Sequence, residues 1–394
     1  MTAYDFAILG GGASGLSLAL ALAQSPLGNR SILLVEKDAK DRNDRTWCYW
    51  TTQNSPFDDI RYHVWDKVRF VSDHINLKIP LQPYRYQMIR GIDFYNYLRR
   101  ELMQYPNVKF LTGTVQGWED GEENAQVWVN GSVFRAAWVF DSRLSPADIH
   151  PVPSKYHYLK QHFKGWEIET EAPLFDPDAA TLFDLRTEQR SGLSFFYILP
   201  YSQSRALVEY TLFSAELLPS EEYDQALQDY ISNRLGIRQY QTLEVETGVI
   251  PMTDHPFPRK LGRRVLSIGT RGGRVKPSTG YAFSRIQRDT QAIVASLVGQ
   301  DHPFDIPPDS KRHKLYDSLM LDVIASPNNQ LKQILGSMFT HNPIHRVFRF
   351  LDEQTDIWEE LRLLASLPRV PFLRALRNRY RHHQQPEMSS GRFF

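Results

Sequence analysis

The chain has 394 residues, which is too long for one small core and predicts two or three lobes packed together. Hydrophobic residues make up 42% and charged residues 23%, as in an ordinary folded globular protein, and the net charge of +1 provides no global field that would attract nucleic acid. Cys48 is the single cysteine, which excludes an internal disulfide and a cysteine-based zinc cluster and fits a reducing compartment.

The sequence has no pattern typical of a secretory signal, a membrane span or a metal site. Residues 1–15 lead directly into a strand and a glycine turn, without the basic start and apolar stretch of a secretory signal. No apolar run approaches the roughly 18 residues that a transmembrane helix needs. The histidines have no metal-ligand spacing. We therefore predict a cytoplasmic protein without a membrane span or a metal site.

The first predicted elements form a βαβ unit. Tyr4–Leu9 is largely apolar, as a buried parallel strand should be, and a helix over Ala13–Gln24 ends before Pro26. Ser31–Glu36 is a second strand of the buried type. A strand, an amphipathic helix and three further strands are predicted over Lys67–Val71, Gly91–Gln104, Val108–Thr112, Gln126–Val129 and Val133–Phe140.

The middle of the chain has a different composition. Tyr156–Phe213 is rich in aromatic and β-branched residues and predicts an antiparallel sheet. Within it, Leu193–Pro200 and Arg205–Ser214 form a hairpin. A helix, a buried strand and another helix follow over Glu221–Leu235, Val265–Gly269 and Gly280–Leu297. From Lys311 onward the pattern is helical, with predicted interruptions at Pro327, Pro343, Pro368 and Pro371.

This order predicts an α/β fold in which one lobe is interrupted by another. A Rossmann-type nucleotide-binding lobe would comprise residues 1–150 and 245–300. An antiparallel-sheet substrate lobe over 151–244 would be inserted into it, and 301–394 would form a helical C-terminal segment.

The strongest motif is the glycine turn over residues 10–15. It matches G-x-G-x-x-G, follows a strand and opens a helix. Gly10 allows the tight turn, Gly12 and Ala13 let a pyrophosphate approach the helix N-terminus, and Gly15 lets helix and strand pack closely. Glu36 ends the second strand, where a carboxylate accepts hydrogen bonds from ribose hydroxyls and would repel the 2′-phosphate of NADP. The alternative is a glycine-rich turn without a ligand.

A second glycine-rich segment covers residues 269–281. It connects a buried strand to a helix expected to begin near Thr279. Such a loop can lie flat against a planar ring, with the helix N-terminus facing the negative charge of a reduced flavin. The alternative is a tight connection with no ligand. The candidate cofactor contacts in this segment are Gly269, Gly273, Pro277, Thr279 and Gly280.

These motifs occur in an order that resembles the FAD-dependent lycopene cyclases of carotenoid biosynthesis, in their single-chain bacterial β-cyclase form. The matching segments are GGGASGLSLA at 10–19, DRTWCYW at 44–50, YQMIRGIDFYNYL at 86–98, VFDSR at 139–143, QHFKGWEIE at 161–169, LVEYTLFS at 207–214, GTRGGRVKPSTGYAFSRIQ at 269–287 and FRFLDE at 348–353. The first is generic to Rossmann flavoproteins, whereas DRTWCYW, the EYT strand and the KPSTGY loop are far more specific.

The resemblance implies a flavoprotein fold like that of aromatic hydroxylases and FAD kept reduced by NAD(P)H. It also implies a lycopene substrate and a reaction without net redox change. A proton adds to the terminal double bond, the carbocation is attacked by the neighbouring double bond, and loss of a different proton gives a β-ionone ring. The family's essential Glu lies in the EYT strand and corresponds to Glu209 in this sequence.

The residues themselves fit such an acid-catalysed reaction. Glu209 lies in a strand whose two faces are both mainly apolar, so it is expected to be at least partly buried, with a raised pKa. The alternative is a solvent-facing Glu at a sheet edge. Asp184 is a second carboxylate, either accepting or relaying a proton or forming a structural ion pair with Arg186.

The DRTWCYW segment leaves several roles open. Arg45 either neutralises a phosphate or pairs with Asp44. Trp47 and its aromatic neighbours either stabilise cationic character through their π faces or, as we favour, form ordinary core. Cys48 has no nearby base in sequence and is expected to be inert.

A long hydrocarbon substrate dissolves in bilayers, so a membrane contact is expected. Leu367–His383 interleaves apolar side chains with five arginines, which suits an anionic membrane surface but equally a helix docked on the core. We predict peripheral membrane attachment. The competing functions are a flavin monooxygenase or epoxidase, a prenyl-chain reductase, and a non-catalytic flavin- or lipid-binding protein. The sequence leaves the ring type, the number of ends cyclised and the oligomeric state open.

Overall fold

The computed structural model describes residues 2–145, 148–149, 155–189, 192–326 and 330–384. The strands are β1 (Thr2–Leu9), β2 (Ile32–Glu36), β3 (Thr46–Thr51), β4 (His63–Trp65), β5 (Lys67–Val71), β6 (Asn76–Pro80), β7 (Arg85–Arg90), β8 (Val108–Thr112), β9 (Val115–Glu119), β10 (Ala125–Val129), β11 (Ser132–Asp141), β12 (Leu159–Glu169), β13 (Ala179–Asp184), β14 (Leu193–Pro200), β15 (Arg205–Ser214), β16 (Gln241–Met252) and β17 (Val265–Ser267).

The helices alternate with these strands and then follow them. They are α1 (Ala13–Ala23), α2 (Gly91–Leu102), α3 (Ser220–Asp229), α4 (Phe283–Gln300), α5 (Lys311–Ala325), α6 (Leu331–His341), α7 (Ile344–Leu351), α8 (Ile357–Ser366) and α9 (Arg369–Gln384).

The first sheet contains the predicted βαβ unit. Its strand order is β8-β2-β1-β11-β10-β9, with β17 also paired to β11, and β1 runs parallel to both β2 and β11. Phe6 and Ile8 face one buried cluster, which also contains α1, α2 and α4, while Ala7 and Leu9 face another. Because both faces of β1 are covered, the strand is a continuous apolar run without alternation.

The second sheet has the strand order β16-β12-β15-β14-β13-β5-β6. The predicted hairpin of β14 and β15 is present in full register. The prediction of an antiparallel sheet over Tyr156–Phe213 is confirmed, because the strands of this segment, β12 to β15, pair antiparallel with one another. One strand from outside the segment, β5, adds to β13 in parallel. Strands β5 and β6 come from the first fifth of the chain, so this sheet is assembled from distant segments, which local composition does not reveal.

A small third sheet lies beside the second. Its order is β3-β7-β4, and β3 carries most of the DRTWCYW segment. The two sheets are joined by side chains: the hydroxyls of Tyr86 on β7 and Tyr197 on β14 lie 2.5 Å apart. This contact brings the DRTWCYW strand against the sheet that carries Glu209.

The C-terminal helices cover the second sheet. Phe348 on α7 stacks on Trp50 with ring centroids 4.3 Å apart, and Phe339 on α6 stacks on Phe70 at 4.8 Å. The prediction of helix from Lys311 onward is confirmed, with breaks before Pro343 and Pro368, whereas the predicted break at Pro327 lies outside the described residues. The predicted break at Pro371 is wrong, because Pro371 lies in the first turn of α9, where the missing N–H has no intrahelical partner to lose.

Several predicted element boundaries differ in the structure, and those around the second glycine-rich segment matter most for the site. The strand predicted to reach Gly269 ends at Ser267, and the helix predicted from Gly280 begins at Phe283. Gly280 has a left-handed φ of +72°, and its N–H donates to the Lys276 carbonyl in a tight turn, so the helix can begin only after it. The helix predicted over Glu221–Leu235 changes at Tyr230 to a π-helical segment.

Candidate active site

A large cavity lies where the two main sheets and the C-terminal helices meet. Its volume is about 1460 Å³, which exceeds the roughly 300–1,000 Å³ typical of a small-molecule pocket and leaves room for a cofactor and a substrate together. One end is polar and lies at the glycine turn. The other end is apolar and lies among the C-terminal helices.

The glycine turn has the geometry of a dinucleotide site. Gly10 has a φ of +106°, and a Cβ on Gly15 would lie 1.9 Å from the Gly10 carbonyl oxygen, so both positions require glycine. A Cβ on Gly12 would point into open space, with no atom within 4 Å. Helix α1 has no side-chain cap, so its first N–H groups face the cavity without a side-chain acceptor. These features fit a bound pyrophosphate.

Glu36 and Arg45 line the same end of the cavity. The Glu36 carboxylate accepts hydrogen bonds from the backbone N–H of Gly11 at 2.6 Å and of Asp38 at 2.9 Å, which fixes it beside the glycine turn. Arg45 forms an ion pair with Asp44 at 2.9 Å and remains half-exposed. The structure therefore contains the predicted Asp44 pairing and leaves guanidinium N–H groups available for an anion.

The second glycine-rich segment meets the first across the cavity. Gly269 has a φ of +61°, and a Cβ there would lie 2.4 Å from the Ser14 hydroxyl, so the two glycine segments are in close contact. The predicted contacts that line the cavity are Gly10, Gly12, Ala13, Glu36, Arg45, Gly269, Thr279 and Gly280. The other predicted contacts, Gly15, Gly273 and Pro277, do not line the cavity.

Lys276 anchors the second segment. Its ammonium group is buried, 2.8 Å from the Asp317 carboxylate on α5 and 3.1 Å from the Glu353 carboxylate after α7. The Ser278 hydroxyl also donates to Asp317, at 2.5 Å. These bonds tie the loop to the helices that form the apolar end of the cavity.

Glu209 lies in the cavity wall between its two ends. Leu207, Glu209, Thr211 and Phe213 all line the cavity, while the alternate side chains of β15 pack on the opposite face of the sheet. Glu209 is only 9% exposed, and the Thr211 hydroxyl donates to its carboxyl group at 2.6 Å. Burial, reinforced by the charge of Glu246, raises the pKa of Glu209 to about 8, although the Thr211 hydrogen bond opposes this.

Asp184 is placed differently. It is buried but does not line the cavity. Its carboxylate accepts hydrogen bonds from Arg186 and, at 2.6 Å, from the Tyr230 hydroxyl, and Tyr230 stacks on Phe196 on the far side of the sheet. The geometry matches the structural ion-pair alternative and supplies no path from Asp184 to a substrate in the cavity.

One functional candidate was missed from the sequence. Glu246 on β16 lines the cavity, and both of its carboxylate oxygens accept hydrogen bonds from Thr46, one from the backbone N–H at 2.9 Å and one from the hydroxyl at 2.7 Å. Its pKa is raised, chiefly by burial, and the two Thr46 hydrogen bonds act against that shift. Local pattern gave no signal for it, because β16 is a mostly exposed edge strand.

The aromatic residues of DRTWCYW have mainly packing roles. Tyr49 stacks on Phe283 at 4.6 Å, and Trp50 donates to Asp352 at 2.6 Å while packing on Phe348. Trp47 and Cys48 reach the cavity wall. Burial raises the pKa of Cys48 to about 12, which keeps its thiol protonated near neutral pH.

The apolar end of the cavity reaches the molecular surface at α8 and α9. Among the described residues, no helix combines the length and the apolar character required to cross a bilayer. The side chains that line this end include Leu319, Met320, Leu335, Met338, Leu364, Leu367, Phe372, Leu373 and Leu376.

The architecture is similar to that of solved flavin-dependent enzymes. A geranylgeranyl bacteriochlorophyll reductase-like protein from Thermoplasma acidophilum has a TM-score of 0.58 and 13% identity, covering 97% of each chain. The flavin-dependent brominase Bmp2 has a TM-score of 0.57 and 16% identity, covering 96% of this chain and 100% of that one. The p-nitrophenol 4-monooxygenase PnpA from Pseudomonas putida DLL-E4 also has a TM-score of 0.57, with 14% identity over 97% and 99% of the two chains. The predicted fold class, an α/β fold of the aromatic-hydroxylase type, is confirmed.

Within this fold class, the chain belongs to the lycopene cyclase family, because residues 5–377 match the family described as "Lycopene cyclase protein". It is 26% identical over 313 residues to a chloroplastic lycopene beta cyclase from Solanum lycopersicum, covering 75% of this chain and 60% of that protein. It is 25% identical over 244 residues to a lycopene beta-cyclase from Paracoccus sp., covering 55% of this chain and 58% of that protein. The matches therefore span about 60% of the length of these relatives.

Proposed function

We propose that this protein is a lycopene β-cyclase that uses reduced FAD to close β-ionone rings at the ends of a linear carotene, without net redox change. The observation that carries the proposal is Glu209. Its buried carboxyl group, with a pKa of about 8, faces a cavity between a dinucleotide-type glycine turn and a long apolar arm. In chemical terms the reaction is an isomerisation of the intramolecular lyase type.

The residues around the glycine turn fit FAD. Gly10, Gly12 and Ala13 would hold the pyrophosphate at the N-terminus of α1, Glu36 would accept hydrogen bonds from the ribose, and the segment from Gly269 to Gly280 would lie against the ring system. When bound and reduced by NAD(P)H, FAD would supply negative charge that stabilises a nearby carbocation.

Glu209 would be the proton donor. A carboxyl group with a pKa of about 8 keeps its proton at neutral pH and can deliver it to the terminal double bond of the substrate. The surrounding wall is apolar: Leu207, Phe213 and Phe195 line the cavity around it. Such a wall excludes water, which would otherwise capture the carbocation before the ring closes.

The apolar arm would hold the rest of the carotene. Met320, Met338, Leu364 and Phe372 line it, and none of them carries an ionisable group. Because a hydrocarbon substrate needs no hydrogen-bonding partner along its length, a wall of Leu, Met and Phe side chains suits it.

The test is an anaerobic assay of the purified protein with FAD, NADPH, a chemical reductant and lycopene in liposomes, followed by chromatography of the carotenoids. Monocyclic or bicyclic products of unchanged mass are expected. Unchanged lycopene, with turnover only after O₂ is admitted, would instead identify a monooxygenase, which the fold also serves. Consumption of NADPH in proportion to product would identify a reductase.

We also propose that the protein attaches peripherally to membranes through α8 and α9. Trp358, Leu361, Val370 and Leu373 are exposed there, and exposed arginines alternate with them on α9. Arg379 is an exception, since it turns inward to Asp254 at 3.4 Å. Apolar side chains beside cationic ones favour an anionic bilayer surface, from which a carotene could enter the adjoining arm.

Flotation with anionic liposomes at low salt tests the attachment. Val370→Glu should reduce the floating fraction severalfold, because the side chain is 60% exposed and does not line the cavity. Val298→Glu, at an exposed position on α4, is the matched control and should float like the wild type. Wild-type protein that stays at the bottom of the gradient would disprove membrane attachment.

A further inference from the structure

The wall that carries Glu209 also carries a second carboxylate in a defined register. In the antiparallel ladders, Gly165 on β12 pairs with Glu209 on β15 on one side and with Glu246 on β16 on the other. Directly paired residues point to the same face of a sheet, so both carboxyl groups project into the same cavity. Gly165 separates them with no side chain of its own.

The glycine is required by this arrangement. A Cβ on Gly165 would lie 2.9 Å from the Leu207 side chain and 3.4 Å from the Glu209 Cβ. The side chains of Leu207 and Glu209 therefore occupy the space that a side chain at position 165 would need, and the Glu209 side chain lies directly over Gly165. The charge of Glu246 acts on Glu209 and favours its protonated form.

The two carboxyl groups have unequal partners. Glu246 accepts two hydrogen bonds from Thr46, at 2.9 and 2.7 Å, and both stabilise its ionised form. Arg45 adds a favourable positive charge, although Asp44 opposes it. Glu209 receives one hydrogen bond, from Thr211. When two acidic groups interact and their environments differ in this way, the proton resides on the less stabilised carboxylate.

The other titratable groups that face Glu209 are neutral near pH 7. Tyr197 is its register partner on β14, Tyr86 lies on β7 and Cys48 on β3. Burial raises the pKa of all three groups above their ordinary values. Glu246 is thus the charged group whose field acts on Glu209 among the described residues.

From this geometry we propose that Glu246 is a positioning residue for the acid: it stays ionised, held by Thr46, and its charge across Gly165 keeps the proton on Glu209. This role rests on the proposed cyclase function, in which Glu209 is the acid that donates the proton. Thr46 of the DRTWCYW segment then also has a role, because its two hydrogen bonds from the third sheet hold Glu246 of the second sheet in its ionised form.

The experiment compares Glu246→Gln with the wild type by two readouts. In the cyclase assay, the fall in kcat at alkaline pH should move down by about one pH unit, because the repelling charge has been removed, while KM for lycopene stays the same. At pH 8 this shift corresponds to about fivefold lower kcat. In pH-difference infrared spectra, the protonated-carboxyl band that Glu209→Gln abolishes should titrate about one unit lower.

Two further variants support the interpretation. Thr46→Val removes the hydroxyl donor and should shift the same titration in the same direction by a smaller amount, since Glu246 then competes better for the proton. Glu244→Gln changes an exposed residue of the same strand and should leave both readouts unchanged.

A Glu209 titration that stays in place in both Glu246→Gln and Thr46→Val would overturn the proposal. The infrared titration requires no turnover, so it decides this inference even if the wild type forms no cyclic product. An absence of cyclic product from the wild type would count against the proposed function alone. Retained FAD and an unchanged melting temperature would establish that each variant is folded.

Discussion

Replacing Glu209 with Gln tests the central role most directly. The substitution keeps the shape of the side chain and its ability to accept a hydrogen bond from Thr211, but it removes the transferable proton. At pH 7 a carboxyl group with a pKa of about 8 is about 90% protonated, whereas an ordinary Glu with a pKa of 4.5 is about 0.3% protonated. Burial and the charge of Glu246 together therefore increase the population of the acid form by about 300-fold.

General acid catalysis by a positioned side chain contributes about 10²- to 10⁴-fold to a rate. Glu209→Gln should accordingly lose at least about 100-fold in kcat, with bound FAD and KM for lycopene nearly unchanged. In the wild type, kcat should be constant below pH 8 and fall about tenfold per pH unit above it, because the protonated acid disappears.

Thr211→Val is the matched control for this pH dependence. The Thr211 hydrogen bond lowers the pKa of Glu209, so its removal should move the alkaline fall in kcat to higher pH while activity at pH 7 is retained. Product formation is measured anaerobically across pH 6 to 10. Wild-type activity in Glu209→Gln, or an alkaline limb in Thr211→Val that moves to lower pH, would refute the assignment of Glu209 as the acid.

Three other predictions concern the cofactor site, Asp184 and the C-terminal helix. Gly12→Ala should fold normally yet retain at least tenfold less FAD after desalting, because the added methyl group would occupy the open space expected for the pyrophosphate. The control is Gly117→Ala, at an equally open position on β9, which should retain FAD fully. Asp184→Asn should lower the free energy of unfolding by about 2 kcal/mol in denaturant titrations, because it weakens the buried ion pair with Arg186. In activity assays, kcat per folded molecule should stay unchanged. Burial lowers the pKa of His157, but hydrogen bonds to Asp254 and Asp322 overcome this effect and raise that pKa to about 9. The contribution of these bonds to stability is therefore complete below pH 6.5 and is lost as the pH rises through 9. The difference in melting temperature between the wild type and His157→Gln should shrink over that interval, and a constant difference would contradict the ion-pair role.

The sequence was informative wherever a local pattern determined the structure. The glycine turn required its conformation at Gly10 and Gly15 irrespective of the rest of the fold. The alternation along β15 correctly placed Glu209 with Leu207 and Thr211 on one face, because strand side chains alternate with a period of two. For Asp184 the same reasoning left two roles open, and the hydrogen bond from Tyr230 on the far side of the sheet, which favours the structural role, has no local signature in the sequence.

Features that depend on pairing between distant segments could not be predicted. One such feature is the parallel pairing of β5 with β13, and another is the register that places Glu246 beside Gly165. Both join segments that are far apart in sequence, so neither has a local signature. The true start of α4 depends on the left-handed conformation of Gly280, which composition alone does not distinguish from an ordinary helix start. The predicted domain boundaries, in which the nucleotide-binding lobe is split between residues 1–150 and 245–300, stay a prediction.

The close approach of the two glycine segments has a consequence for biosynthesis. Ser14 and Gly269 touch, and β1 and β17 flank the same strand, β11, yet almost the whole inserted sheet is translated between them. The site formed by both glycine segments is therefore completed only after β17 has left the ribosome. A dinucleotide that binds only the completed site stabilises the folded chain by mass action. Cellular flavin supply would then determine how much of the newly made polypeptide survives quality control, in addition to how much of it is active.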